Sequence, residues 1–203
     1  GILMAKQTYL AAGVDLELAR KIKQTIQRHA STTHGPQVLG GVGLFGGMNT
    51  IAFNTGDGVY VGVGTGNAIF LNSIHSNGGL GIDLGANGVN GNDLQDPDAG
   101  ANNLQNFPVL TAAYQGSTVV TGLFNSTPNT AFTISFYSNT SCDPSGNGEA
   151  QTFRGVANVT TSAFGVASFT ATLSTTVPLG HSITALAADP SNNTSELSAC
   201  RTV

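Results

Sequence analysis

No tryptophan occurs in the 203-residue chain, only two cysteines do, and charged side chains make up just 9% of it. Without tryptophan there is no antibody-type core built around a buried indole. The two cysteines, Cys142 and Cys200, match no metal motif, so a single disulfide is their natural reading and an oxidising compartment its natural setting. A charged fraction far below the roughly 25% of an average soluble domain, in a chain rich in Gly, Asn, Ser and Thr, is the composition of an extracytoplasmic β protein. No apolar run approaches the roughly 18 residues of a membrane-spanning helix. The N-terminus also lacks the apolar core and cleavage site of a signal peptide. The expectation is a β body of extracytoplasmic or cell-surface type, on a chain with no signal peptide and no membrane partner.

Positive charge is scarce in a particular way. Lys6, Arg20, Lys21, Lys23 and Arg28 lie in the first 30 residues against Asp15 and Glu17, whereas residues 31–203 hold only Arg154 and Arg201 against nine acids. The head is therefore net +3 and the remainder net −7. The clustered cations alternate with Val14, Leu18, Ile22 and Ile26 at helical spacing, which reads as the solvated face of an amphipathic helix capped by Asp15 and ending near Ala30. It does not read as a nucleic-acid arm, and no nucleic-acid partner is expected. Residues 31–153 contain no Lys or Arg at all, which disfavours a lyase for acidic sugars, because such chemistry needs cations to neutralise the substrate carboxylate. The glycine runs at 40–43 and 62–66 are not followed by Lys-Ser/Thr, and no G-x-S-x-G elbow occurs, so neither a nucleotide cofactor nor a serine nucleophile is indicated. A hydrolase would have to draw on Asp57 and Asp83 as its acid and base or nucleophile, with His75 on the same face.

Along the chain, Tyr9, the run Ala12-Gly13-Val14-Asp15, the turn Arg20-Lys21-Ile22-Lys23 and Gly40-Gly41-Val42-Gly43 followed by Phe45-Gly46-Gly47 give residues 7–48 a pattern that resembles the N-terminus of phosphoribosylformylglycinamidine cyclo-ligase. That family needs a far longer ATP-binding body, so the resemblance implies a leader without the enzyme's activity. A cytosolic enzyme's leader on a body of exported type implies a chimera, with its junction near Leu44 to Asn49.

From Asn49 the hydrophobic period changes. The stretch 49–55, NTIAFNT, aligns with 67–73, NAIFLNS, at an offset of 18, and 56–61 aligns with 79–84 after a five-residue insertion. Alternating apolar strands, Asn at the bends and Gly where the backbone needs positive φ are what stacked parallel β-helix coils require. Through GGLGIDLGANGV and NNLQNFPVL, residues 49–203 resemble the C-terminal end of bacterial right-handed parallel β-helix surface proteins. After Leu104 six or seven short alternating strands follow with turn signals between them and no helical segment, which reads as an immunoglobulin-like antiparallel β-sandwich. The fold expected is thus mainly β. A helical head with a Gly-rich linker occupies 1–48, a short right-handed parallel β-helix stub with an Asp-rich loop 49–103, and the sandwich 104–203.

The loop N-D-L-Q-D-P-D-A-G-A-N-N offers Asp93, Asp96, Asp98 and Asn102 as oxygen donors, with Gly100 free to turn its carbonyl inward. That rhythm is the one by which a loop wraps a hard cation, and the bland alternative is an exposed acidic loop satisfied by its own Asx turns. Oxygen-only donors favour Ca²⁺. The functional expectation is a non-catalytic module for adhesion or spacing that binds calcium, takes a glycan or other surface ligand, and forms a homo-oligomer through its exposed coil end. The alternative is a weak, metal-assisted hydrolase of phosphate or sulfate esters or glycosides.

Overall fold

The structure is a computed structural model that describes residues 49–203, apart from 86, 87, 115, 117 and 118. The helix expected from Asp15 to Ala30 and the segment resembling the cyclo-ligase lie outside the described residues. The chain divides into two units between Gly47 and Met48, and everything below concerns the second. It is mainly β, with several small sheets. Among the described residues no helix is long and apolar enough to cross a membrane.

Four short strands open it: β1 (Thr50–Ala52), β2 (Val59–Val61), β3 (Ser73–His75) and β4 (Ile82–Leu84). β1 pairs in parallel with β3 and β2 with β4, Ile51 facing Ile74 and Tyr60 facing Asp83. Both pairs are in register 23 residues apart, so the offset of 18 expected for residues 49–55 is corrected: NTIAFN lies over NSIHSN at 72–77. Within residues 49–77 the motif Asn-x4-Asn occurs at 49, 67 and 72, and apolar similarity alone favours the wrong pair. Hydrogen bonding decides it. Asn72 Oδ1 accepts the backbone N–H of Asn49 at 3.2 Å and its side-chain amide at 3.1 Å. Asn77 Oδ1 does the same for Asn54 at 3.2 and 2.8 Å. The stacked turns approach so closely that a Cβ on Gly78 would lie 2.3 Å from the Thr55 carbonyl oxygen, a place open only to glycine.

Seven antiparallel strands follow. β5 (Val109–Ala113), β6 (Val119–Asn125) and β9 (Val166–Thr172) form one sheet in the order β5-β6-β9. β7 (Ala131–Asn139), β8 (Thr152–Thr160), β10 (Ser182–Ala188) and β11 (Arg201–Thr202) form another in the order β11-β10-β7-β8. The alternation of β6 puts Val120 and Phe124 inward, where they meet Phe132, Ile134, Phe136 and Ile183 of the four-stranded sheet. The rings of Phe124 and Phe132 pack edge to face at 4.9 Å, the arrangement that aromatic quadrupoles prefer.

β10 is buried at every position, which a sheet with one wet face would not produce. Its second face is covered by the segment carrying β1 to β4: Tyr137 and Leu186 join Val61, Ile69, Ile74, Ile82 and Leu84 in a second core. Ile74 and Ala150 exchange both backbone hydrogen bonds, at 2.9 and 2.8 Å. The turns between β1 and β4 then lose their backbone donors to side chains of the body. Gly66 N–H goes to Asn193 Oδ1 at 2.7 Å, Ile69 N–H to Thr194 Oγ1 at 3.0 Å, Leu71 N–H to the Tyr137 hydroxyl at 2.9 Å and Leu84 N–H to Glu196 Oε1 at 2.9 Å. The polar strap 193–198 thus clasps the segment carrying β1 to β4. Just beyond it Cys200 is bridged to Cys142 with a Cα separation of 6.0 Å, the disulfide expected from the sequence.

Candidate metal centre

The loop between β4 and β5 is shaped by asparagines that imitate a strand partner. Asn92 donates to the Phe107 carbonyl at 2.8 Å and accepts its N–H at 2.9 Å. Asn106 accepts the Asp93 N–H at 3.1 Å and donates to the Asp93 carbonyl at 2.8 Å and the Asn125 carbonyl at 2.9 Å. Between these clamps Gln95 and Asp96 take left-handed backbone angles, φ 67° and 57°, which non-glycine residues adopt only under local constraint. The turn throws Asp96 inward. Its Oδ1 accepts the Asn106 N–H at 3.1 Å, and its Oδ2 accepts Gln105 Nε2 at 2.6 Å and the Ser126 hydroxyl.

The carboxylates of Asp93, Asp96 and Asp98 converge, each offering one oxygen within 4.8 Å of the others. Two oxygens on opposite sides of a Ca²⁺ ion stand at most about 5 Å apart, given ligand distances of about 2.4 Å, so this spread suits one ion. Burial raises the Asp96 carboxyl to about 6, against the lowering effect of the Ser126 and Asn106 hydrogen bonds and with help from the charges of Asp98 and Asp93. Burial, and then the charge of Asp93, raise Asp98 as well. Asp93 Oδ1 and Asp98 Oδ1 are buried and have no hydrogen-bond partner.

The rest of the expected arc lies elsewhere. Asn102 is fully buried; its Oδ1 accepts Asn67 N–H and Nδ2, each at 3.0 Å, and its Nδ2 donates to the carbonyls of Asn67 and Thr194, each at 2.9 Å. That amide is consumed in holding the turn 64–67 against the strap, so it is a structural residue and not a metal ligand. The Gly100 carbonyl accepts the Asn103 N–H at 3.1 Å. The sequence reading missed Gln105, Asn106 and Ser126, which cage Asp96. Nothing in their spacing marks them, since Ser126 comes from the end of β6.

The residues considered for hydrolysis occupy separate elements. Asp57 spends Oδ1 on the Leu80 N–H at 2.8 Å, Asp83 is buried on β4, and His75 on β3 shares a contact of 3.0 Å between Nδ1 and the Ser76 hydroxyl.

No family model matches the chain. Part of it is similar to phosphoribosylformylglycinamidine cyclo-ligases: that of Leptospira interrogans is 52% identical over 47 residues, 23% of this chain and 14% of the relative. That of Synechococcus sp. (strain CC9902) is 40% identical over 86 residues, and that of Gloeothece citriformis 41% identical over 88, each match covering 40% of this chain and 25% of the relative. The chain thus spans a quarter or less of the length of these curated relatives.

Proposed function

We propose that residues 49–203 are a non-catalytic module of the bacterial surface type, serving adhesion or spacing, with a Ca²⁺ ion held by Asp93, Asp96 and Asp98. In this reading the parallel pairs are the last coils of a right-handed β-helix, and the two antiparallel sheets form an immunoglobulin-like sandwich. The constant 23-residue register and the asparagine ladders support the first assignment, and the shared aromatic core supports the second. The similarity to a cyclo-ligase over 47 residues, 23% of the chain, supports a chimeric origin, in which the enzyme-like part contributes no cyclo-ligase activity.

The single observation behind the calcium assignment is the pair of buried, unpartnered oxygens on Asp93 and Asp98 beside a caged third carboxylate. An unpaired buried carboxylate oxygen costs free energy that a hard cation recovers. Calcium bound to the native state alone stabilises it by about 2.7 kcal/mol at a hundredfold excess over Kd. Melts with calcium and with chelator should therefore differ by several degrees, and Asp98→Ala should erase the difference. Identical melts for the parent protein would reduce the loop to a solvated connector.

A further inference from the structure

Among the described residues β1 has one hydrogen-bonded neighbour, β3, and β2 has one, β4. The Asn49 carbonyl accepts the Ser73 N–H at 2.7 Å, and the Phe53 N–H goes to the Ser76 carbonyl at 3.1 Å. Backbone groups along a strand alternate between its two edges, so with 49 and 53 facing β3, Thr50 and Ala52 turn their N–H and C=O groups the other way. Neither has a partner there among the described residues. The opposite side of the parallel pairs is closed: Ile74 of β3 exchanges both backbone bonds with Ala150, and the Leu84 N–H of β4 goes to Glu196. The residues before β1 do not carry its pattern. No asparagine precedes Asn49, and the 23-residue register carried back once more puts Arg28 at the place of Ile51, a residue packed against the second core. The open edge is also neutral. From Asn49 to Gly66 the one charged side chain is Asp57, whose Oδ1 is held by the Leu80 N–H. Phe53, directly after β1, is 82% exposed. Edge strands are ordinarily guarded by charge or proline, and β1 carries neither.

We propose that this edge binds a second copy of the chain, β1 pairing antiparallel with β1 about a two-fold axis at Ile51. The outward groups are self-complementary: Thr50 of each copy stands opposite Ala52 of the other, and each such pair exchanges both N–H···O bonds, as the hydrogen-bonded pairs of an antiparallel ladder do. Ile51, seated over Ile74, meets its own copy on the axis. A second copy therefore supplies what residues 26–48 lack, an apolar residue over Ile51 flanked by free donors and acceptors, and it brings no opposing charge. Because Ala150 and Glu196 occupy the far side, the parallel strands cannot stack head to tail, and the assembly closes at two copies.

The test uses the full chain in chelator, which separates its outcome from that of the calcium site. Sedimentation equilibrium at micromolar concentration should give twice the chain mass of 20.6 kDa and no larger species. The amides of Thr50 and Ala52 should exchange slowly with solvent and faster on dilution, whereas that of Phe53, bonded within the chain, should not respond to dilution. Thr50→Pro removes an outward N–H at the first residue of a strand, where proline is tolerated, and Ala52→Lys sets like charges across the axis. Each should raise the dimer Kd at least tenfold while the amide spectrum of β6 and β7 stays that of the parent. A monomeric mass, a dimer whose Thr50 and Ala52 amides exchange freely, species that grow beyond two copies, or an unchanged Kd in a variant that keeps the parent spectrum overturns the proposal.

Discussion

Glu196 and Leu84 are both buried, and the carboxylate of the first accepts the backbone N–H of the second at 2.9 Å across 112 residues of chain. The same carboxylate takes the Asn90 N–H and its side-chain amide, each at 2.8 Å. One side chain from the strap thus satisfies three donors at the end of β4 and in the loop after it. Removing it in Glu196→Ala strands them, at about 1–3 kcal/mol for each buried donor left unsatisfied. The melting temperature should fall by on the order of 10 °C, at about 2–4 °C per kcal/mol for a body of this size. A shift under about 2 °C would mean that water replaces the carboxylate without loss.

Tyr137→Phe isolates a single contact. The ring of Tyr137 is fully buried against Phe153, with centroids 5.8 Å apart, and its hydroxyl accepts the Leu71 N–H. Burial holds the phenol up at about 12, so it stays neutral at any working pH. Phenylalanine keeps the packing and loses only the acceptor, which should cost about 1–3 kcal/mol in chemical denaturation. The Leu71 amide should exchange faster with solvent than in the parent protein, and an unchanged exchange rate would contradict the assignment.

Reducing the bridge between Cys142 and Cys200 releases a loop of 58 residues, which in the chain-entropy model is worth about 4 kcal/mol. Because the bridge lies beside the strap, the amides of Gly66, Ile69 and Leu84 should lose protection before those of β6 and β7. Uniform loss of protection would show that the bridge acts on the unfolded chain alone.

The raised acids set a pH response. Asp96, at about 6, and Glu149, at about 7, hold their protons more tightly in the folded state than in the unfolded one. Protonation therefore favours the fold, an effect complete below the unfolded carboxyl range near 4 and lost as pH rises through about 6 to 7. Metal-free protein should melt higher near pH 5 than near pH 8. Ca²⁺ at the proposed site needs Asp96 ionised, so the stabilisation expected from it should shrink as pH falls through about 6. Melts in chelator that rise with pH across this window would refute the first statement, and a calcium effect of constant size would refute the second.

The six antiparallel strands read after Leu104 correspond to β5 through β10, because each is a period-two run bounded by Gly, Pro, Asn or Ser. β11 was missed; at two residues, Arg201–Thr202, it is defined by its partner and not by its own pattern. The register of the short parallel strands was misread because three copies of Asn-x4-Asn compete within residues 49–77, and only the positions of Asn72 and Asn77 beneath Asn49 and Asn54 choose between them. At the candidate metal centre the acids were legible as a spacing. The fate of Asn102 was not, since its partners Asn67 and Thr194 are 35 and 92 residues away. The strap 193–198 carried turn-like composition, and only the tertiary placement of β1 to β4 turns its side chains into backbone acceptors.

Six of the nine acids of this body are met by amides. Asp57, Asp96, Asp143, Glu149, Asp189 and Glu196 each accept at least one backbone N–H, from Leu80, Asn106, Ser145, Ser76, Ser191 and Leu84 respectively. Mobile ions weaken attraction between exposed side chains of opposite charge, but a dipole fixed in the main chain a hydrogen bond away is beyond their reach. A chain so poor in lysine and arginine gains from this an indifference to its medium: brine and dilute buffer should leave these anchorages equally firm.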